Sequence, residues 1–181
     1  MVAIAVVSAS CSSQPAHPEE VITEQPSTTQ VDSKINEDAV TKKPSTTPPI
    51  LIKTDAYEGV ILPDTSMSEW TPSKENIEQF ENGFRDYLVS QLKDAGELDE
   101  TSNNEAKRIT YVLDHFNEYK RQYVGIIESG KKVVYCNLIR GSAGDWKNEL
   151  VVMFDGGPNY FSIHFNVQKE RYFDLMINGY A

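Results

Sequence analysis

Nothing aromatic and no glycine occurs in the first 56 residues of this 181-residue chain, although the whole contains 9 Tyr, 7 Phe, 2 Trp and 10 Gly. A stretch with no large side chain to bury cannot offset the entropy of ordering itself, so the fold must lie further on. Basic residues are short as well: 17 Lys and Arg stand against 27 Asp and Glu, a formal net charge of -10. Neutralising phosphates takes Lys and Arg, so no nucleic-acid partner is expected, and an anionic membrane surface is a poor direct partner. No apolar run approaches the ~18 residues of a membrane-spanning helix. The two cysteines, Cys11 and Cys136, and the three histidines, His17, His115 and His164, have no metal-ligand spacing. Phosphate-binding glycine loops and the nucleophile-elbow motif are missing too, so neither a cofactor nor a metal is expected from motifs.

What is present begins with an apolar opening, Met1 to Val7, that leads through Ser8, Ala9 and Ser10 into Cys11. This junction resembles the end of a bacterial lipoprotein signal peptide, with residues 1–10 as the signal and Ser8 standing where leucine is usual. The apolar stretch is short and no Lys or Arg precedes it, so the resemblance implies a start further upstream. It also implies that the Cys11 sulfur is lipidated and that acyl chains hold the protein on a lipid bilayer. Ser12 after the cysteine then suits an outer membrane, with the domain facing the periplasm. Between Ser12 and Ile50, 11 of the 39 residues are Ser or Thr and 6 are Pro. Residues 11–50 are therefore expected to be an anchor cysteine followed by a disordered tether.

Residues 51–181 hold every aromatic, with 14 basic and 21 acidic side chains, and are expected to form one globular α+β domain. Tyr57 to Leu62 predicts a first strand, stopped by Pro63. Thr71 and Pro72 read as the cap and first position of a long helix, in which Ile77, Phe80, Phe84, Leu88 and Leu92 recur at helical spacing up to Gly96. A shorter helix is predicted over Asn104 to Phe116 through Ile109 and Val112. After Asn117 the apolar period changes from 3.6 to 2. Turn signals at Ser129-Gly130, Gly141 to Asp145, Asp155 to Asn159 and Gln168 to Glu170 then separate five strand-like runs, which read as an antiparallel meander.

A strand, a long helix and a meander follow one another as in an α+β roll. In this order of elements residues 57 to 180 resemble the cystatin and NTF2-like folds. The resemblance implies a long helix packed on a curved antiparallel sheet of about five strands. Papain-inhibiting cystatins insert a Gln-x-Val-x-Gly hairpin into the protease, but the nearest string here, Gln122-Tyr123-Val124-Gly125, is one residue short, which argues against protease inhibition.

The last hairpin registers itself by alternation: a three-residue loop at Gln168 to Glu170 pairs Phe165 with Phe173, Ile163 with Leu175 and Phe161 with Ile177, leaving one wholly apolar face. The other face then sets His164 across from Asp174 and Asn166 across from Tyr172, with Tyr160, Ser162 and Asn178 beside them. Candidates for catalysis are His164, Asp174 and Tyr160; candidates for binding are Tyr160, Ser162, His164, Asn166, Tyr172 and Asp174. A histidine beside a carboxylate suits general-base work. A solvated face with one ordinary ion pair is the plainer reading, since no nucleophile or second acid is forced to converge there. Cys136, alternating with Val134 and Leu138, reads as a buried thiol. The chain is thus expected to be an anchored cell-envelope module that binds a small ligand or an envelope protein, rather than an enzyme. The alternatives are an NTF2-like enzyme using His164 and Asp174, and a structural accessory of an envelope complex. Limited proteolysis tests the division of the chain: a resistant fragment should begin near residue 50, and a resistant core starting well before residue 45 would contradict it.

Overall fold

The computed structural model describes residues 47–96 and 102–179; Cys11, the lipobox-like junction and the rest of residues 1–46 lie outside the described residues. One sheet holds six strands in chain order. They are β1 (Ile50–Lys53), β2 (Glu58–Ile61), β3 (Lys120–Glu128), β4 (Lys131–Ile139), β5 (Tyr160–Asn166) and β6 (Arg171–Ile177). Two helices, α1 (Lys74–Gly96) and α2 (Ser102–Asp114), join β2 to β3. None of the described helices is long and apolar enough to cross a membrane.

The curved five-stranded antiparallel roll of the cystatin and NTF2-like type is not what these residues form. The sheet is mixed, open, and neither curled nor closed. Two physical causes separate it from the expected meander. First, β2 and β3 run parallel, with Val60 opposite Gln122, because the chain leaves the sheet after β2 and comes back through two helices before pairing again. Second, the apolar run from Trp146 to Phe154 makes no strand. Its backbone groups are taken by side chains instead: the Gln122 amide donates to Trp146 O (2.6 Å) and Glu149 O (2.7 Å), and the Asn137 amide donates to Val151 O (2.7 Å). Gln122 Oε1 in turn accepts from the Val151 N–H (2.9 Å) and from Asn137 (3.0 Å). These residues form a strap across one face of the sheet rather than a rung within it. The outermost strand β1, which sequence alternation does not reveal, pairs antiparallel with β2 just after the Pro48-Pro49 pair.

The other face carries the helices. Ile77, Phe80, Phe84 and Leu88 are buried on α1 at the predicted spacing, whereas Leu92 is half-buried. Ser73, not Thr71, directly precedes the helix and exchanges hydrogen bonds with Asn76. The α1 face packs on Tyr123, Val134, Cys136, Leu138, Phe161, Ile163 and Phe165 of the sheet. Phe80 sits at the centre, with ring centroids 4.8 Å from Phe84 and 5.7 Å from Phe165. On the strap side, Val60, Leu62, Val124, Ile139, Ala143 and Trp146 make a second, smaller cluster.

One charge pair lies within the helix-side core. Arg121 on β3 is 0% exposed, its Nε 3.1 Å from Glu81 Oε1 on α1. Its other nitrogens donate to Tyr119 O and Phe116 O, and its guanidinium lies 4.0 Å from the Tyr57 ring centroid. Glu81 also accepts from the Tyr123 hydroxyl at 2.7 Å. Burial pushes the Glu81 carboxyl above its ordinary 4.5, and Arg121 and Tyr123 pull it back only in part. A carboxyl whose folded pKa is raised favours folding most below its unfolded value and loses that contribution as the pH rises through the folded value. Since Arg121 limits the loss, Arg121→Met should raise the Glu81 midpoint further, as followed by carboxyl NMR. Glu81→Ala, which leaves a buried guanidinium uncompensated, should cost about 3–5 kcal/mol in urea unfolding. An unmoved midpoint in Arg121→Met would show that the two charges are not coupled.

Candidate functional site: a histidine between two carboxylates

The polar face near the strap is shaped by an irregularity in β6. Phe161 pairs with Ile177 and Ser162 with Met176, as alternation predicts, but His164 then pairs with Phe173 and Asn166 with Arg171. Two steps along β5 match three along β6, which is a β-bulge, and the residue that absorbs it is Asp174, with φ of 50°. The bulge reverses the facing of everything beyond it. Tyr172, expected on the polar face, points into the helix-side core. There its hydroxyl donates to Phe80 O, and its ring stacks on Tyr87 at 5.0 Å and Phe84 at 5.9 Å. Gly83 allows this approach, since a Cβ there would come within 3.2 Å of the Tyr172 hydroxyl. Phe173 and Asp174 both come to lie beside His164.

His164 is wedged edge-on between the rings of Phe173 (5.2 Å) and Tyr135 (5.5 Å), with its side chain 21% exposed. Its Nδ1 is buried and has no hydrogen-bond partner. Asp174 Oδ2 stands 3.6 Å from that nitrogen and Glu128 Oε2 stands 4.0 Å away. Among the described residues these three form a group whose ligand atoms all lie within 4.8 Å of one another. Asp174 is exposed, and Glu128 is half-buried. Sequence alternation along the last hairpin could not supply Glu128, which comes from the end of β3. It is held there by the last rung of the β3–β4 hairpin, opposite Lys131, next to a two-residue turn in which Ser129 and Gly130 both have positive φ. The local signal for that turn was readable; the reach of Glu128 across β4 was not.

The remaining candidates serve the scaffold around this cluster. The Tyr160 hydroxyl donates to Ser142 O at 3.0 Å, and Asn178 donates to Met153 O and Asp155 O, so both fasten the strap. Asn166 Oδ1 accepts from the Lys169 N–H at 2.9 Å and closes the β5–β6 turn. Ser162 lies half-buried along the groove beside His164. Two clefts adjoin the cluster. One, of about 210 Å³, is lined by Glu128, Phe173 and the basic Lys131, Lys169 and Arg171. The other, of about 200 Å³, is an apolar groove between His164 and the strap, bordered by Tyr135, Met153, Phe154, Tyr160 and Met176.

No protein-family model matches the chain, and neither a curated protein nor a solved structure matches it. With no family match behind them, the lipoprotein, signal-peptide and cystatin/NTF2-like identifications give way to a narrower statement. The chain holds a globular α+β domain in which an open six-stranded sheet carries two helices on one face and a His–Glu–Asp cluster on the other. The preference for a non-catalytic module is corrected as well. It rested on the lack of a second acid beside His164, and Glu128 supplies one.

The left-handed backbone at Asp174 can be separated from the chemistry of its side chain. A residue with a Cβ is disfavoured there by about 1–2 kcal/mol, which Asp partly escapes and Gly avoids. Asp174→Gly should therefore match or exceed the wild type in urea unfolding, with Asp174→Ala about 1 kcal/mol less stable than Asp174→Gly. Equal stability of the two variants would show that the bulge is not strained at this residue.

Proposed function

We propose that the domain is an enzyme whose reacting centre is the Glu128, His164 and Asp174 cluster, loaded with a divalent cation. The observation that carries this reading is the convergence of one imidazole nitrogen and two carboxylate oxygens within 4.8 Å of one another, around an Nδ1 that no protein group hydrogen-bonds. Donor atoms about a tetrahedral ion with bonds of 2.0–2.2 Å stand roughly 3.4 Å apart. Separations of 3.6 and 4.0 Å are too long for a direct hydrogen bond and suit an ion between the groups. One imidazole and two carboxylates favour Zn²⁺ or Mn²⁺ over softer metals. When bound, such an ion supplies Lewis acidity and lowers the pKa of a coordinated water toward neutrality.

The residues around the cluster fit that role. Phe173 and Tyr135 fix the plane of the His164 ring, so that the nitrogen meets its ligand without reorganisation. Lys131, Lys169 and Arg171 make the adjoining cleft attractive to an anionic group, and the groove by Met153, Phe154 and Met176 takes an apolar one. Neither cleft reaches the ~300 Å³ usual for a small-molecule site, so the substrate is an extended molecule lying across both. Hydrolysis of an ester or phosphodiester bond held over His164 is the reaction class this layout supports.

Calorimetric titration of the full chain with Zn²⁺ and with Mn²⁺ tests the centre. One ion should bind per chain, and His164→Gln and Asp174→Asn should each weaken binding at least as much as the roughly 10–100-fold typical of losing an outer-shell partner. Metal-dependent hydrolysis of p-nitrophenyl acetate or bis(p-nitrophenyl) phosphate should disappear in the same variants. No binding, or binding untouched by His164→Gln, overturns the site. Binding without hydrolysis of either compound overturns the enzyme.

A further inference from the structure

A cavity larger than either cleft beside this cluster lies away from it. It has a volume of about 430 Å³ and is lined by Asn104, Lys107, Arg108 and Tyr111 of α2, by Pro158 in the turn before β5, and by Gly179. Those four helical residues are spaced i, i+3, i+4 and i+7, so they form a single face of α2. Ile109 and Val112, from the opposite side of the helix, are buried. The cavity is therefore an open cleft on the polar side of an amphipathic helix, bordered by the Pro158 turn, with Asn104 and Lys107 exposed.

Its charges are not explained by the scaffold. Arg140 nearby has partners within the scaffold: its Nε stands 2.7 Å from Glu118 Oε2, and its Nη1 donates to the Tyr111 hydroxyl and to Asn159 Oδ1. The Tyr111 hydroxyl donates to Asn159 Oδ1 at 2.9 Å, which uses that group too. Arg108, by contrast, has a buried Nε with no hydrogen-bond partner, and among the described residues neither it nor Lys107 has a salt bridge. Both cations sit near the middle of α2, away from the first and last turns where the helix dipole acts on a charge. An orphaned donor of a guanidinium costs stability unless something accepts from it.

We propose that this cavity binds a small organic oxyanion, a molecule with one carboxylate or one phosphate group on an apolar body. The anionic group meets Arg108 and Lys107, where the planar guanidinium of Arg108 offers a fork of N–H donors that matches two oxygens of either group. Pro158 and the ring of Tyr111 form the apolar wall for the body, and 430 Å³ lies within the ~300–1,000 Å³ of small-molecule sites. The site uses none of Glu128, His164 and Asp174, and so stands independently of the proposed enzyme.

Benzoate and phenyl phosphate serve as probes for the two sources of the oxyanion, with benzyl alcohol as the neutral comparison, each titrated into the metal-free full chain and followed by amide NMR shifts. At least one anion should bind saturably, one per chain, with shifts concentrated at Asn104, Lys107, Arg108 and Gly179. Arg108→Gln should weaken that binding at least tenfold and Lys107→Gln at least threefold, while His164→Gln leaves it unchanged. Should Arg108→Gln not fold, the Lys107→Gln effect and the shift pattern of the wild type decide. The proposal is overturned if neither anion binds better than benzyl alcohol, if the shifts map elsewhere, or if a folded Arg108→Gln binds as the wild type does.

Discussion

A single extra residue in β6 sets what each face of the sheet can do. If β6 alternated regularly, Tyr172 and Asp174 would share a face, as residues two apart in a strand must. Because Asp174 adopts a left-handed conformation, the strand steps out of phase there. Tyr172 turns under α1, into the gap that Gly83 leaves open, and Asp174 remains beside His164. The helix-side core and the polar cluster are thus coupled through one backbone kink. Bulges that re-aim side chains in this way are over-represented next to functional sites.

The buried polar side chains do comparable work on the two sides of β3. Arg121 faces α1 and ties it to the sheet through Glu81, Tyr119 O and Phe116 O. Its neighbour Gln122 faces the opposite way and, with Asn137, holds the strap by its backbone groups. Neither fastening depends on apolar area alone. A hydrogen-bonded strap defines where the apolar groove beside His164 runs, since Val151 is fixed by Gln122 and Asn137 while Phe154 is left 91% exposed.

The two sites have opposite electrostatic character. The cluster on the strap face gathers two carboxylates around an imidazole and suits a cation. The cavity on α2 gathers an arginine and a lysine without a carboxylate among the described residues and suits an anion. On a chain with a net charge of -10, an acidic group of residues is the ordinary case and an unpaired basic pocket is not. For the cluster, therefore, the orphaned Nδ1 carries more weight than the acidity; for the cavity, the uncompensated positive charge is itself informative.

Local physics was legible along the chain. The period of Ile77, Phe80, Phe84 and Leu88 specifies α1 and its buried face, because a helix needs no partner to define which side is apolar. The Ser129-Gly130 turn specifies the β3–β4 hairpin, and alternation specifies the pairing of Phe161 with Ile177. What lay beyond reach depends on groups far apart in the chain. A strand as short as β1 exists by pairing with β2, and the parallel contact of β2 with β3 follows from where two helices return the chain. The Trp146 to Phe154 run, bounded by turn signals and ending in five apolar residues, reads as a strand yet is denied a ladder by two side-chain amides. His164 and Asp174 could be set side by side from alternation, but the bulge that keeps them together while turning Tyr172 inward could not. Glu128 joins them only because its side chain, at the hairpin end of β3, reaches across β4 to β5. Alternation and helical period therefore determined the elements and their apolar faces, each encoded within a few residues. Tertiary packing decided the strand order, the bulge and the site, because these are set by contacts whose partners the local sequence does not name.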